Sequence, residues 1–267
     1  MTHEPSGLLA GKRLLITGVV TTDSIAFHAA ATAQRQGAEV LLTSFDRDRE
    51  RTEEAAGKLP EDTEVLQLDV TAEADFDRIE AELRERWGRL DGTLHAVAFA
   101  PRDALAGGFL DAGLDAVQKA FATSTYSYAA LARLLAALAP PGGGSIVGLD
   151  FDAGGAWPVY NWMGVCKTAL QSVNRYVARD LGARRIRSNL VAAGPLHTRA
   201  AGGIPDFDLL TDAYERRAPL AWDPTDAAPV GDTVAFLFSD LSRAITGEVV
   251  HVDGGYNAMA ADLAPDR

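Results

Sequence analysis

The sequence predicts an α/β fold, a doubly wound parallel sheet of about seven strands with helices on both faces. Short apolar runs alternate with helical stretches along the chain, and such helices serve as crossovers between parallel strands. The first apolar run leads directly into Gly18 and then into a helical stretch, as in a phosphate-binding turn. Together these observations indicate a Rossmann-type sheet, whose ligands bind at the carboxyl ends of the strands.

Predicted strands and helices alternate along the chain. The predicted strands are residues 13–17, 39–44, 64–68, 92–99, 145–149, 186–192 and 248–252. The predicted helices are residues 24–36, 48–58, 75–87, 116–139, 161–181 and 232–238. Residues 196–219 carry no clear pattern, which is typical of a substrate-binding loop or lid, with a surface insertion as the alternative. We expect residues 1–267 to form a single domain.

The amino-acid composition limits the classes of molecule that the protein is expected to bind. The net charge of −12 argues against nucleic acid, because no basic stripe is present to neutralise phosphates. With one cysteine and no paired spacing among the five histidines, neither a disulfide nor a metal site is expected. No signal peptide and no membrane-spanning run is recognisable, so we expect a cytoplasmic protein that does not insert into membranes.

The turn after the first strand is the first candidate cofactor site. It departs from the G-x-G-x-x-G pattern, because only Gly18 remains and Ser24 stands where a later glycine is usual. Gly18 and Val20 would form the bend, while Ser24 and Ile25 open a helix whose amides face a diphosphate. The alternative interpretation is an ordinary strand–helix turn in which Ser24 caps the helix.

Residues after the second and third strands are candidates for binding adenosine. Phe45 can cover the adenine face, and Asp46 disfavours a 2′-phosphate, so NADH is favoured over NADPH. Asp69 and Val70 can meet the amino edge of adenine, although Asp69 is equally well explained as a helix cap.

The end of the fourth strand offers small residues to a flat cofactor. Ala96, Val97 and Ala98 would let it approach the backbone, and the alternative is a plain buried strand. His95 and Cys166 are interpreted as packed core residues. A set of aromatic residues is assigned to the core or to subunit contacts: Phe121, Tyr126, Tyr128, Trp157 and Trp162.

The strongest catalytic candidate is the pair Tyr160 and Lys167. The two residues are seven positions apart, about two helical turns, so that one helix can direct both into the same cleft. The phenol can donate a hydrogen bond or a proton, and the ammonium can bind a sugar hydroxyl. The spacing alone is weak evidence, since it occurs on many helices.

Several motifs in the same order resemble the short-chain dehydrogenase/reductase superfamily. They are Thr17-Gly18, Tyr160, Lys167 and residues 189–198 and 252–256. Ser24-Ile25-Ala26, the Tyr-x6-Lys spacing and residues 217–220 are similar to its enoyl-acyl-carrier-protein reductase branch. Residues 149–152 and 160–163 resemble the mycobacterial type of that branch.

The resemblance implies roles for individual residues. Tyr160 would bind or protonate the enolate, Lys167 would hold the nicotinamide ribose, and Phe151 would lie between cofactor and substrate. Further residues implied at the site are Met163 for the substrate and Gly194, Leu196 and Thr198 for the cofactor. The expected partners are a trans-2-enoyl thioester, on acyl carrier protein or coenzyme A, and three further copies of the chain in a homotetramer.

Two rival functions remain open. A carbonyl reductase of the same superfamily is disfavoured, because Tyr-x3-Lys is absent and Asp150 and Phe151 stand where such enzymes carry a serine. A non-catalytic dinucleotide-binding regulator is disfavoured by the intact Tyr160 and Lys167. Compared with the family pattern, Ala98 replaces a glycine, and the region 196–219 is shorter than in the mycobacterial type, which favours a shorter or differently shaped acyl group.

Overall fold

The computed structural model describes residues 6–260 and contains one parallel sheet. Its seven strands lie in the order β3-β2-β1-β4-β5-β6-β7. They are β1 Arg13–Thr17, β2 Glu39–Ser44, β3 Val65–Gln67, β4 Gly92–His95, β5 Gly144–Asp150, β6 Ile186–Ala193 and β7 Val249–Val252. Neighbouring strands are parallel, so the doubly wound fold is confirmed. The expected domain limits at residues 1 and 267 lie outside the described residues.

Helices connect successive strands and cover both faces of the sheet. They are α1 Ile25–Arg35, α2 Arg49–Ala56, α3 Glu73–Arg86, α4 Arg102–Leu105, α5 Leu114–Phe121, α6 Ser127–Leu138, α7 Asn161–Leu181, α8 Asp208–Arg217 and α9 Ala228–Phe238. Between residues 6 and 260, none of the helices has the length and apolar character needed to cross a membrane.

The core has two layers because strand side chains alternate between the faces. In β1, Leu14 and Ile16 pack into one cluster with α1 and α9, whereas Leu15 packs into the other with α3 and α6. Burial on both faces explains why the strands read as continuous apolar runs.

Two predicted elements differ from the structure near the carboxyl edge of the sheet. β4 ends at His95, four residues before the predicted end at residue 99, and the chain then leaves the sheet. The predicted helix 116–139 is interrupted by a π-helical segment, Ala122–Tyr126, between α5 and α6. Within it, Ser124 Oγ accepts from the Phe99 amide (2.9 Å) and Thr125 Oγ1 donates to the Cys166 carbonyl (2.9 Å). These buried hydroxyls join the segment to its neighbours, and π-helical turns of this kind are frequent at functional sites.

The region 196–219 contains a helix that the sequence pattern did not predict. Helix α8 occupies Asp208–Arg217 and buries Leu210 and Tyr214, which are four residues apart. Two buried apolar residues in ten are too few for a clear periodic pattern, because the rest of the helix is mostly polar. The helix α4 has only four residues, too few for a periodic pattern to be recognised.

Candidate active site

The turn after β1 approaches β4 so closely that only glycine fits. Gly18 has φ of +83°, and a Cβ there would lie 2.1 Å from the Ala96 carbonyl oxygen. Thr17 Oγ1 donates to the Leu94 carbonyl (2.8 Å) and accepts from the Ala96 amide (3.1 Å), which joins the two strand ends. Glycine at position 18 therefore lets the turn pack against the chain that follows β4.

At the start of α1, Ser24 fits both interpretations from sequence, as a helix cap and as part of a phosphate-binding turn. Its hydroxyl accepts from the Phe27 amide (3.2 Å) and donates to the Thr21 carbonyl (2.8 Å), so it is a helix cap. Thr21, which the sequence analysis did not single out, has a buried Oγ1 with no hydrogen-bond partner among the described residues. A free hydroxyl beside a helix N-terminus fits a diphosphate group. In the sequence, the only indication of this role was that Thr21 is a hydroxyl residue within the turn.

The candidate adenosine residues lie after β2 and β3. The Phe45 ring is 42% exposed, with the Arg47 guanidinium 5.4 Å from its centroid. Asp46 is exposed next to it. Asp69 Oδ1 accepts from the amide and hydroxyl of Thr71, and α3 begins only at Glu73, so Asp69 does not cap that helix.

The remaining predicted cofactor residues lie at the same edge of the sheet. Val70 is buried, Ala96 and Val97 are half-buried and Ala98 is exposed between β4 and α4. After β6, Gly194 and Leu196 are buried and Thr198 is half-buried. Because β1, β4, β5 and β6 are consecutive in the sheet, the segments after β4 and β6 lie at the same edge as the turn after β1, and Val70 lies two strands further along that edge, after β3.

Tyr160 lies at the start of α7 between two strained residues. Val159 and Asn161 both have positive φ, 59° and 37°, which is uncommon for residues other than glycine. The Asn161 side-chain amide donates to the carbonyls of Leu105 (2.8 Å) and Gly107 (3.2 Å) and holds this turn. Strain maintained in this way is typical of functional positions.

Burial sets the protonation of the Tyr160–Lys167 pair. Lys167 Nζ donates to the Leu149 carbonyl (2.8 Å), and only 6% of the residue is exposed. Burial lowers the pKa of Lys167, while the negative charge of Asp150 opposes that change. Burial raises the pKa of Tyr160, and the charge of Asp150 adds to this. The phenol therefore keeps its proton and is a hydrogen-bond donor.

Asp150 is a buried carboxylate that the sequence analysis did not include among the site residues. Its Oδ2 accepts from Gln171 Nε2 (2.8 Å), whereas Oδ1 is buried without a partner among the described residues. Burial raises its pKa, and the nearby ammonium of Lys167 partly offsets this. In the sequence, the indication of this role was an acidic residue at the end of an apolar strand.

A cluster of aromatic rings extends from Tyr160 through Phe151. The Phe151 ring lies 5.0 Å from that of Tyr160, and Trp157 lies 5.3 Å from Phe151. Tyr214 of α8 stacks on Tyr256 with centroids 3.8 Å apart, and both are within 6 Å of Trp157. Trp157 is half-buried and packs against the hydrophobic core, as expected, and its ring also contacts Phe151, a candidate site residue.

The other interpretations from sequence can be checked directly. His95 is fully buried, with Nε2 2.7 Å from Ser127 Oγ, and burial lowers its pKa to about 3. Cys166 is buried, and burial raises the pKa of its thiol. Both are core residues, as predicted. Met163, a predicted substrate contact, is buried on α7.

Taken together, a dinucleotide-type crevice and a buried Tyr–Lys pair at its centre define a reductase of the short-chain dehydrogenase/reductase class. A family model described as Enoyl-(Acyl carrier protein) reductase matches residues 18–257, and the chain belongs to this family.

Individual relatives align over nearly the whole chain. Enoyl-[acyl-carrier-protein] reductase [NADH] of Mycolicibacterium smegmatis is 45% identical over 94% of this chain and 97% of its own length. The protein of the same name from Mycobacterium avium is 42% identical over the same shares. The Escherichia coli protein, with FabI added to that name, is 40% identical over 95% of this chain and 97% of its own. The resemblance to the mycobacterial type is confirmed.

Proposed function

We propose that this protein uses NADH to reduce the carbon–carbon double bond of a trans-2-enoyl thioester in fatty-acid or related acyl-chain biosynthesis. The observation that carries the proposal is the protonated, buried phenol of Tyr160, seven residues before Lys167 and packed against Phe151. The relatives named above are enoyl reductases whose printed names specify NADH and acyl carrier protein.

Tyr160 stabilises the charge that develops during the reaction. When bound, NADH supplies a hydride, and addition at the β-carbon places negative charge on the thioester oxygen. The Tyr160 hydroxyl donates a hydrogen bond to that oxygen and can transfer its proton there. Because burial raises the pKa of Tyr160, the proton stays on the phenol until the oxygen becomes basic.

Lys167 positions the cofactor rather than the substrate. One N–H of its ammonium donates to the Leu149 carbonyl, and the others, which have no partner among residues 6–260, can bind the hydroxyls of the nicotinamide ribose. The negative charge of Asp150 favours the protonated ammonium, which burial alone would disfavour. We therefore assign Asp150 the role of keeping Lys167 protonated.

The remaining site assignments complete the proposal. The proposed cofactor contacts are Gly18, Val20, Ser24, Ile25, Phe45, Asp69, Val70, Ala96, Val97, Ala98, Gly194, Leu196 and Thr198. The proposed substrate contacts are Phe151, Tyr160 and Met163. The unpartnered Thr21 hydroxyl beside the start of α1 supports the phosphate assignment best.

We also propose a homotetramer. Exposed apolar side chains on α5 and α7 support it, with Leu114 70%, Phe121 42% and Val165 40% exposed. Coenzyme A as the alternative acyl carrier, the absence of nucleic acid and membrane partners and a cytoplasmic location stay predictions.

A direct assay distinguishes the proposed function from its rivals. Purified protein is mixed with NADH and either an octenoyl or a 3-ketooctanoyl thioester, and loss of NADH absorbance is followed. The proposal predicts turnover with the enoyl thioester and little with the ketoacyl thioester. Preference for the ketoacyl thioester would indicate a carbonyl reductase, and NADH binding without turnover of either would indicate a regulator.

A further inference from the structure

An ion pair joins two segments that lie far apart in the sheet. Arg199 follows β6, and its Nη1 lies 3.1 Å from Oδ1 of Asp48, which follows β2. In the sheet order, β2 and β6 are separated by β1, β4 and β5. At about 4.8 Å per strand, their ends are roughly 19 Å apart.

The chain must cross the crevice to make this contact. The Gly194 amide donates to the Val252 carbonyl at the end of β7 (2.9 Å), and the His197 amide donates to the Pro224 carbonyl (2.7 Å), so the backbone of residues 194–197 stays on the β7 side. Arg199 therefore reaches back to Asp48 across the carboxyl ends of the intervening strands, where Gly18 and the start of α1 form the proposed phosphate site. The Asp48–Arg199 pair therefore bridges the opening above that site.

Residues on the β2 side of the crevice also contact Asp48 and its segment. Its carboxylate, only 16% exposed, also faces Arg47 Nε (3.4 Å) and Arg51 Nη1 (3.8 Å). Thr52 Oγ1 donates to the Val19 carbonyl (2.7 Å), which joins the start of α2 to the phosphate turn. Of the three arginines, Arg199 alone comes from across the crevice.

We propose that the Asp48–Arg199 pair closes the crevice over the phosphates of the bound dinucleotide and slows its release. The inference rests on the proposed function only in taking NADH as the ligand. Both residues are positioning residues: they hold residues 194–199, including Thr198, against the cofactor and take no part in hydride transfer. Arg199 acts through Asp48 and not as a separate phosphate ligand.

The test is the rate at which NADH leaves the protein, measured by stopped-flow fluorescence without any acyl substrate. Asp48→Asn and Arg199→Leu should each accelerate release about three- to fivefold, the upper part of the range for ion pairs near the surface. The double variant should be no faster than the faster single variant, because both changes remove the same interaction. Arg199→Lys should release NADH more slowly than Arg199→Leu.

Arg51→Leu is the matched control, because it removes an arginine from the same carboxylate without affecting a contact across the crevice. It should leave the release rate unchanged. Unchanged release in Asp48→Asn with faster release in Arg199→Leu would mean that Arg199 binds the phosphates itself, and would overturn the inference. Equal acceleration by Arg51→Leu would also overturn it. Failure of the wild-type protein to bind NADH would overturn the proposed cofactor, and this inference with it.

Discussion

Tyr160 illustrates how local strain and burial combine at a single residue. The positive φ values of Val159 and Asn161 turn the chain abruptly into α7, and Asn161 stabilises the turn through two backbone carbonyls. The phenol is thereby fixed next to Phe151. A fixed donor needs little reorganisation when charge develops on the substrate, which is the main source of electrostatic catalysis.

Substitutions of Tyr160 and Lys167 should affect different steps. Tyr160→Phe should retain NADH binding and lower kcat/KM for an enoyl thioester by about tenfold or more, because one transition-state hydrogen bond is lost. Lys167→Ala should instead abolish or greatly weaken NADH binding. Fluorescence titration and steady-state kinetics measure the two effects. The opposite assignment of effects would show that the roles are reversed.

Asp46 should determine the preference between the two nicotinamide cofactors. A 2′-phosphate beside its carboxylate is repelled, so NADH should bind at least about tenfold more tightly than NADPH, a difference of roughly 1.4 kcal/mol. Asp46→Ser should reduce this ratio without weakening NADH binding to the same extent. Equal affinities of the wild-type protein in a titration would refute the assignment.

His95 should make the protein lose stability as the pH falls. Burial lowers its pKa from 6.5 to about 3, so below pH 6.5 the unfolded chain binds a proton that the folded chain does not. Its contribution is therefore present above pH 6.5 and is lost at lower pH. Between about pH 7.5 and pH 5, the wild-type protein should lose about 2 kcal/mol more stability than His95→Gln. Urea unfolding measures this, and parallel losses would contradict it.

At the level of elements, α8 packs Tyr214 against the aromatic cluster that includes Phe151, the proposed substrate contact. Tyr214 is 1% exposed and stacks on Tyr256, which also accepts a hydrogen bond from Arg217 Nη1 (3.2 Å). These rings occupy the space beyond Phe151 and Trp157. An acyl chain that extends in this direction must displace them, so short chains should be favoured.

Removal of the Tyr214 ring should change acyl-chain preference. Tyr214→Ala should raise the ratio of kcat/KM for a dodecenoyl over a crotonyl thioester about tenfold relative to wild type, because the stacked ring no longer has to move. Tyr176→Ala, at a tyrosine of α7 that is 57% exposed, is the control and should leave the ratio unchanged. An unaltered ratio in Tyr214→Ala would show that α8 does not limit chain length.

The elements that could be predicted are those with long, regular patterns. The strands could be located as apolar runs, because their residues are buried on both faces of the sheet. Helix α7 could be located because apolar residues recur at helical spacing along its 21 residues. Helix α8 and the π-helical segment could not be predicted, since they depend on tertiary contacts. Tyr214 needs Tyr256 to stack on, and Thr125 needs the Cys166 carbonyl, and neither partner is close in sequence.

At the level of the whole molecule, strand order determines which residues meet. Gly18, Phe45 and Lys167 could be proposed from sequence because each follows a strand or lies on α7, whereas Phe151 was proposed from the family resemblance. Thr21, Asp150 and Tyr256 were missed because their importance appears only from an unpartnered atom or a ring contact. The position of a residue relative to the strands in the sequence predicts at which edge of the sheet it lies. Its contacts and its burial can be read only from the three-dimensional structure.

Assembly is the remaining property at this scale. Light scattering should give about four times the chain mass of 28.3 kDa at micromolar concentration, as expected for a closed tetramer with 222 symmetry. Phe121→Glu should reduce that mass, because a charge is introduced into the exposed apolar face of α5. A monomeric wild-type protein would contradict the proposed tetramer.

The most direct test of the central claim is the position of the transferred hydride. The protein is incubated with NADH that carries deuterium on the reactive carbon and with equal amounts of an enoyl and a 3-ketoacyl thioester. The products are then analysed by mass spectrometry and NMR. We predict deuterium at the β-carbon of a saturated acyl thioester, with Tyr160→Phe forming the same product more slowly. Deuterium on the hydroxyl-bearing carbon of a 3-hydroxyacyl thioester, with the enoyl thioester unconsumed, would contradict the claim.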